Sequence, residues 1–227
     1  MGGNIAATRP ISPPELSPPD GALSKLRLAD LCIMRKKRLN HDKEIKGLDG
    51  LTVGDFWSWA YSDIMGNLNR SVFAEFVVAS ALGIQDKCRV EWDAYDLEYR
   101  GRKIEVKCAA HIQSWQQSTP SLIRFDIAKK KSWSAETNTS SDVAIRSSDC
   151  YVFCYYPETD PLKADILDVP AWLFFVVPTE LIDQTCQNQK TIGIKKIQAL
   201  CDPVKIMELR KAIDAILKSK SREISYE

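Results

Sequence analysis

Histidine is almost missing from this chain: two residues among 227 are too few for a His-rich metal cage. Long hydrophobic runs are missing as well. A membrane-crossing helix needs roughly 18 or more apolar residues, whereas the best candidate, Ala171 to Val177, is closed off by Pro170 and Pro178. There is no glycine-rich phosphate loop of the Walker or dinucleotide type, and no internal repeat. Neither sign of charge dominates; the formal net charge is +1, so any attraction to nucleic acid has to come from local patches. The seven cysteines are odd in number and scattered (Cys32, Cys88, Cys108, Cys150, Cys154, Cys186 and Cys201), which predicts reduced thiols and a cytoplasmic setting. These absences exclude a membrane-spanning chain, a secreted disulfide scaffold and a wholly basic chromatin-type protein. What is present is ordinary globular material, 44% apolar and 27% charged, in a length that suits one sizeable domain with a small appendage.

Proline punctuates the start. Pro10, Pro13, Pro14, Pro18 and Pro19 fall within residues 1–22 and predict a flexible, extended tail. Residues 23–68 read as a helical N-terminal region, with Leu26, Ala29 and Ile33 at helical spacing before Arg35-Lys36-Lys37-Arg38 interrupts the stripe. Leu23 to Lys46 carries eight basic and three acidic side chains, the pattern of a solvated helix face or of a phosphate-contacting arm. Thr52 and Asp55 have capping-box spacing for a helix through Phe56, Trp57, Trp59 and Tyr61, whose aromatics are expected in a core. Ser71 to Leu82 is apolar almost all round, which predicts a buried helix stopped by Gly83, with Glu75 as its only ionisable side chain.

After that helix the period changes to that of strands, expected at Val90–Tyr99, Lys103–Ala109, Leu122–Ile127, Cys150–Tyr156 and Trp172–Val177. Lys129 to Ser148 reads as a long polar loop, in which Lys129, Lys130, Lys131 and Arg146 are candidate contacts for a phosphate backbone. Asp202-Pro203 predicts the cap and first turn of a last amphipathic helix, with Ile206, Leu209, Ile213 and Ile216 on one face. This order of elements predicts an α/β architecture, a mixed central sheet flanked by helices, with its core in residues 69–227.

The chemistry concentrates between Asp96 and Lys107. A two-residue turn at Arg100-Gly101, the commonest short hairpin connection, sets Tyr99 opposite Arg102, Glu98 opposite Lys103, Leu97 opposite Ile104 and Asp96 opposite Glu105. Alternation then places Asp96, Glu98, Lys103, Glu105 and Lys107 on one face, and Leu97, Tyr99, Ile104 and Val106 on the other. Opposed carboxylates repel unless a cation compensates, and a hard divalent ion does so through oxygen ligands. Glu75, inside an apolar helix, is costly unless it is paired or metal-bound, and it joins this cluster if the helix packs on the hairpin. A salt-bridged hairpin, Glu98 with Lys103, is the plainer alternative.

Asp96, an eight-residue gap, Glu105-Val106-Lys107, the glycine turn, the upstream helix bearing Glu75 and the following Ala109-Ala110-His111-Ile112-Gln113-Ser114-Trp115 together resemble the PD-(D/E)XK nuclease superfamily, the restriction-endonuclease-like fold. The resemblance covers residues 69–178. Ala94-Tyr95 stands where many members carry proline, and Asp93 is a rival first acid of the wrong strand parity. What the resemblance implies is a Mg²⁺-dependent endonuclease (Mn²⁺ as substitute) that hydrolyses phosphodiester bonds, with DNA as the expected partner and restriction or host defence as a role. Asp96, Glu105 and the Val106 carbonyl would hold the metal, and Glu75 would be a further ligand, directly or through water. Lys107 would orient or deprotonate the attacking water, and Gln113 would fix the Lys107 or water geometry. A homodimer is compatible with cutting two strands. The alternatives are a structure-specific or RNA-directed nuclease, or a non-cleaving binding module on the same fold. Cys108 with His111 as a nucleophile pair, and Cys150 with Cys154 as a zinc site, are set aside because the first thiol points inward and no second ligand pair exists.

Overall fold

The computed structural model describes residues 38–89, 95–131, 133–134, 139–140 and 142–223. The expected Pro-rich tail, the helical stripe around Leu26, most of the basic run and the rival Asp93 lie outside them. The described residues from Arg38 onward belong to one unit. Arg38, the one described member of the basic run, pairs with Asp86 at 3.0 Å on the surface.

Two helices open the described chain, α1 (Val53–Tyr61) and α2 (Asn67–Leu82). Thr52 and Asp55 form the capping box of α1: the Thr52 hydroxyl accepts from the Asp55 N–H at 3.3 Å, and the Thr52 N–H donates to the Asp55 carboxylate at 2.7 Å. The core expected for its aromatics is not found. Only Val53 of α1 is buried, while Trp59 is 83% exposed. Residues 38–52 form turns closed by a Glu44–Thr52 bridge, and their leucines Leu39, Leu48 and Leu51 are themselves exposed. Helix α2 begins four residues before Ser71, which adds Arg70 to it, and it ends at Gly83 in the left-handed region, φ 73°. It is less uniformly buried than its composition suggests, since Phe76 is exposed.

The central sheet contains β1 (Leu97–Tyr99), β2 (Arg102–Ala110), β6 (Cys150–Tyr156) and β7 (Leu173–Pro178), in the order β1-β2-β6-β7. β1 is antiparallel to β2, β2 parallel to β6, and β6 antiparallel to β7, so the sheet is mixed. The hairpin register is the one that a two-residue turn demands: Leu97 opposite Ile104, Glu98 opposite Lys103, Tyr99 opposite Arg102. Arg100 and Gly101 both have positive φ, 53° and 73°, the conformation that matches the twist of the flanking strands. Glu98 and Lys103 do not pair with each other; the Tyr95 hydroxyl bonds Glu98 at 3.2 Å, and the Lys103 ammonium lies over the Tyr95 ring.

Alternation along β2 and β6 builds two cores. Ile104, Val106, Val152 and Cys154 face α2 and the last helix, α5 (Ile206–Glu223), where Leu209 and Ile213 are fully buried. Ala109, Tyr151 and Phe153 face a second layer: β3 (Arg124–Asp126) paired with β8 (Thr191–Gly193), together with α3 (Thr179–Cys186) and α4 (Ile194–Leu200). Each fully buried Phe or Ile contributes about 1.5–3 kcal/mol. The fold is thus mixed α/β, a four-stranded sheet with helices on both faces.

Two expectations are corrected. Asp202-Pro203 does not cap α5, because Val204 first bridges to Phe174 with mutual backbone bonds of 2.8 and 3.0 Å, and the helix begins only at Ile206. The polar segment Lys129–Ser148 is not an open loop: Lys130 and Ile145 exchange backbone bonds, and β4 (Trp133–Ser134) pairs with β5 (Thr139–Ser140) beyond them. Among the described residues no helix is long and apolar enough to cross a membrane.

Candidate functional site

Strand β2 is flanked unequally. Its start pairs with β1, and Ile104–Ala110 pair with β6 on the other side. Past Ile104, no strand among the described residues covers the edge of β2 that faces away from β6.

Asp96 occupies the beginning of that edge. Its N–H donates to the Ile104 carbonyl at 3.2 Å, and its Oδ2 accepts from the Val106 N–H at 2.7 Å. The side chain therefore stands in for the strand's next backbone acceptor. The N–H and C=O of one strand residue point the same way, so the Val106 carbonyl opens toward this edge too.

Lys107 completes the group. Its Nζ lies 2.6 Å from Glu105 Oε1 and 3.9 Å from Asp96 Oδ2. One ammonium thus serves two carboxylates. Burial raises the Glu105 carboxyl above its ordinary range, Asp96 pushes it further, and Lys107 offsets only part of this. Burial alone would pull Lys107 down, but Glu105 and Asp96 outweigh it; the net shift is upward and the amine stays protonated.

Asp96, Val106 and Lys107 border a cavity of about 490 Å³ whose wall also includes Glu75, Arg70, Gln113, Trp115, Arg124 and Asp126, with Glu105 joined to it through Lys107. The size is that of a small-molecule or nucleotide cleft. Glu75 reaches the cavity from α2, where burial raises its carboxyl against the opposing pull of Arg89. Arg89 grips it with two donors, Nε to Oε2 and Nη2 to Oε1 at 2.9 Å. Glu75 therefore shares the cavity with Asp96 and Lys107 but is held in an ion pair.

Gln113 is anchored by Arg70 and by the loop, and its bonds do not run to Lys107. Its Oε1 accepts from Arg70 Nη2 at 3.3 Å, and its Nε2 donates to the Ala110 carbonyl at 3.1 Å. Arg70 is 1% exposed and also donates to the carbonyls of Met65 at 2.7 Å and Ile112 at 3.2 Å, tying the start of α2 to the end of β2. Sequence reasoning missed Arg70, Arg124 and Asp126. Asn67, Ser71 and Glu75 recur every four residues on the cavity side of α2, and the polar–apolar–polar run Arg124-Phe125-Asp126 gives a period of two; both signals were available.

Several other candidates take structural roles. Arg146 does not reach outward for phosphate: its side chain is wholly buried and donates to the Ile127, Gln187 and Gln189 carbonyls and to Asp183. His111 bonds the Ser121 carbonyl and the Tyr155 hydroxyl. Burial pushes the Cys108 thiol up to about 12, the opposite of a nucleophile's shift.

Mg²⁺ suits the donor set: two carboxylates that already converge on a cation, beside an outward-facing backbone carbonyl, give hard oxygen ligands. Among the described residues no three His, Cys, Asp or Glu side chains form a cage by themselves, so backbone and water would have to complete the coordination. No protein-family model and no curated protein matches this sequence.

Proposed function

We propose that this chain is a Mg²⁺-dependent endonuclease of the PD-(D/E)XK type, with the restriction-endonuclease-like arrangement of sheet and helices, acting on DNA. The observation that carries the reading is the position of Lys107, its Nζ 2.6 Å from Glu105 and 3.9 Å from Asp96 on the wall of a 490 Å³ cavity. Buried like charges are costly, and a site that gathers two acids around one amine beside open space is built for a charged reactant.

Asp96, Glu105 and the Val106 carbonyl would hold the metal, with Glu75 as a further ligand, directly or through water. A bound ion would supply a more acidic water and polarisation of the phosphoryl oxygen. The chain's own groups do the rest. Lys107, kept protonated by its two acids, donates to the phosphate oxygen on which charge builds. It thus acts as a donor and not as the base. The attacking water's proton passes to bulk solvent as the new P–O bond forms, and the leaving sugar oxygen takes a proton from solvent as the old P–O bond breaks. Arg70 fixes Gln113 and with it the cavity wall after β2.

The test is nicking of supercoiled plasmid and cutting of end-labelled DNA and RNA. Cutting is expected with Mg²⁺ or Mn²⁺, and is expected to vanish in EDTA and to fall steeply in Lys107→Ala. No metal-dependent cutting of any of these substrates would leave a binding module as the better account.

A further inference from the structure

Two side chains on the cavity wall have no part in the chemistry above. Trp115, in the segment after β2, is 59% exposed, and among the described residues its ring stacks on no other aromatic. Arg124 lies on β3 and forms no ion pair among the described residues. It is nevertheless rigidly mounted: its neighbour Phe125 is buried opposite Ile192 and packs edge-on against Phe153 with centroids 5.1 Å apart. Leu122, 81% exposed, lines the same cavity. A bare indole face and an uncommitted guanidinium thus share one cleft with Asp96 and Lys107.

Indole faces take flat aromatic rings, and a guanidinium fork takes phosphate oxygens in pairs. A nucleotide offers both groups on one unit. A base within a duplex has both faces covered by its neighbours, so it can use an indole inside a cleft only after leaving the stack. With a net charge of +1 on the whole chain, general electrostatic attraction to a duplex is weak, and stacking has more to contribute. We infer that the Trp115–Arg124 wall is a subsite for an unpaired nucleotide, base on Trp115 and phosphate on Arg124, so that the strand engaged is single-stranded or locally unpaired. The inference rests on the nuclease reading of the same cavity and adds the form of substrate that it takes.

Fluorescence anisotropy in EDTA tests it, using short labelled single strands of DNA and of RNA, a matched duplex, and the same duplex with a mismatch. Trp115→Ala and Trp115→Leu are expected to weaken binding to single strands and to the mismatched duplex about tenfold. Trp115→Phe is expected to keep most of the binding, and the matched duplex to change less than about twofold. Arg124→Ala should lower the salt dependence by about one phosphate contact. The Leu variant preserves apolar bulk, so the Leu–Phe contrast decides the matter even if the Ala variant unfolds. Preference for DNA or for RNA identifies the strand's source, and either supports the subsite provided Trp115 is needed. Trp115 variants that bind single strands as the parent does, or that lose matched duplex equally, overturn it. Cutting with Mg²⁺ on the same preparations separates the two readings. A parent that binds single strands through Trp115 but cuts nothing refutes the nuclease and leaves the subsite standing; a parent that cuts while Trp115 proves dispensable refutes the subsite alone.

Discussion

Two cations, Arg146 fully buried and Lys107 partly so, are used in opposite ways. Arg146 spends its donors on the carbonyls of Ile127 (2.7 Å), Gln187 (3.0 Å) and Gln189 (3.1 Å) and on the half-exposed Asp183. Two of those carbonyls belong to the chain leaving α3, where Gln187 stands at positive φ, 34°, and the helix's last acceptors need partners. Lys107 has one amine for two carboxylates and a cavity beside it. Burial of a charge is therefore no mark of function by itself. A saturated buried cation is scaffold, whereas one that leaves an acid under-compensated next to open space is available for chemistry.

The comparison breaks if the two sites respond alike to mutation, and the largest contrast is expected at Lys107. Lys107→Ala should cost about 10²–10³-fold in cutting rate, the range for losing one donor to a developing oxyanion, while circular dichroism still reports a folded chain. Arg146→Ala should do the reverse. Stranding three carbonyls without their donor should lower stability by about 3 kcal/mol in urea titration, while cutting per folded molecule, assayed at low temperature, stays near the parent's. An Arg146 variant that is stable but inactive would erase the distinction.

Much of this arrangement was legible before any coordinates. The hairpin register followed from Arg100-Gly101 because a two-residue turn allows only one pairing, and the alternation then fixed which of Ile104, Glu105, Val106 and Lys107 share a face. Two features were not legible, for a common reason: they depend on where the chain departs from regularity. Asp96 leaves the ladder and caps the Val106 N–H with its side chain, which no alternation rule predicts. Arg146 sits among serines and threonines in a segment that reads as loop, and only the return of α3 beside it supplies the carbonyls that bury it. Glu75 shows the limit from the other direction: its helix placed it at the cavity, but its partner Arg89 lies beyond that helix and carries no periodic signal.

The smallest expected effect is also the most specific to the Lys107 site. Glu105 has its carboxyl raised above the ordinary 4.5 by burial first and by Asp96 second. A carboxyl with a folded pKa above its unfolded one makes the native state hold more protons across that window. Stability that it contributes is then present below the unfolded pKa and is lost as pH rises through the folded pKa. Glu105→Gln removes this slope and leaves the remaining carboxylates of the chain in place, so those that do not interact with Glu105 cancel when the two proteins are compared. Lys107 titrates far above the window, since its own shift is upward. The melting temperature of Glu105→Gln minus that of the parent should therefore grow between pH 4 and pH 7, measured by thermal unfolding in matched buffers without metal. A flat or falling difference would mean that Glu105 feels neither its burial nor Asp96, and the contrast with the saturated Arg146 site would lose its electrostatic basis.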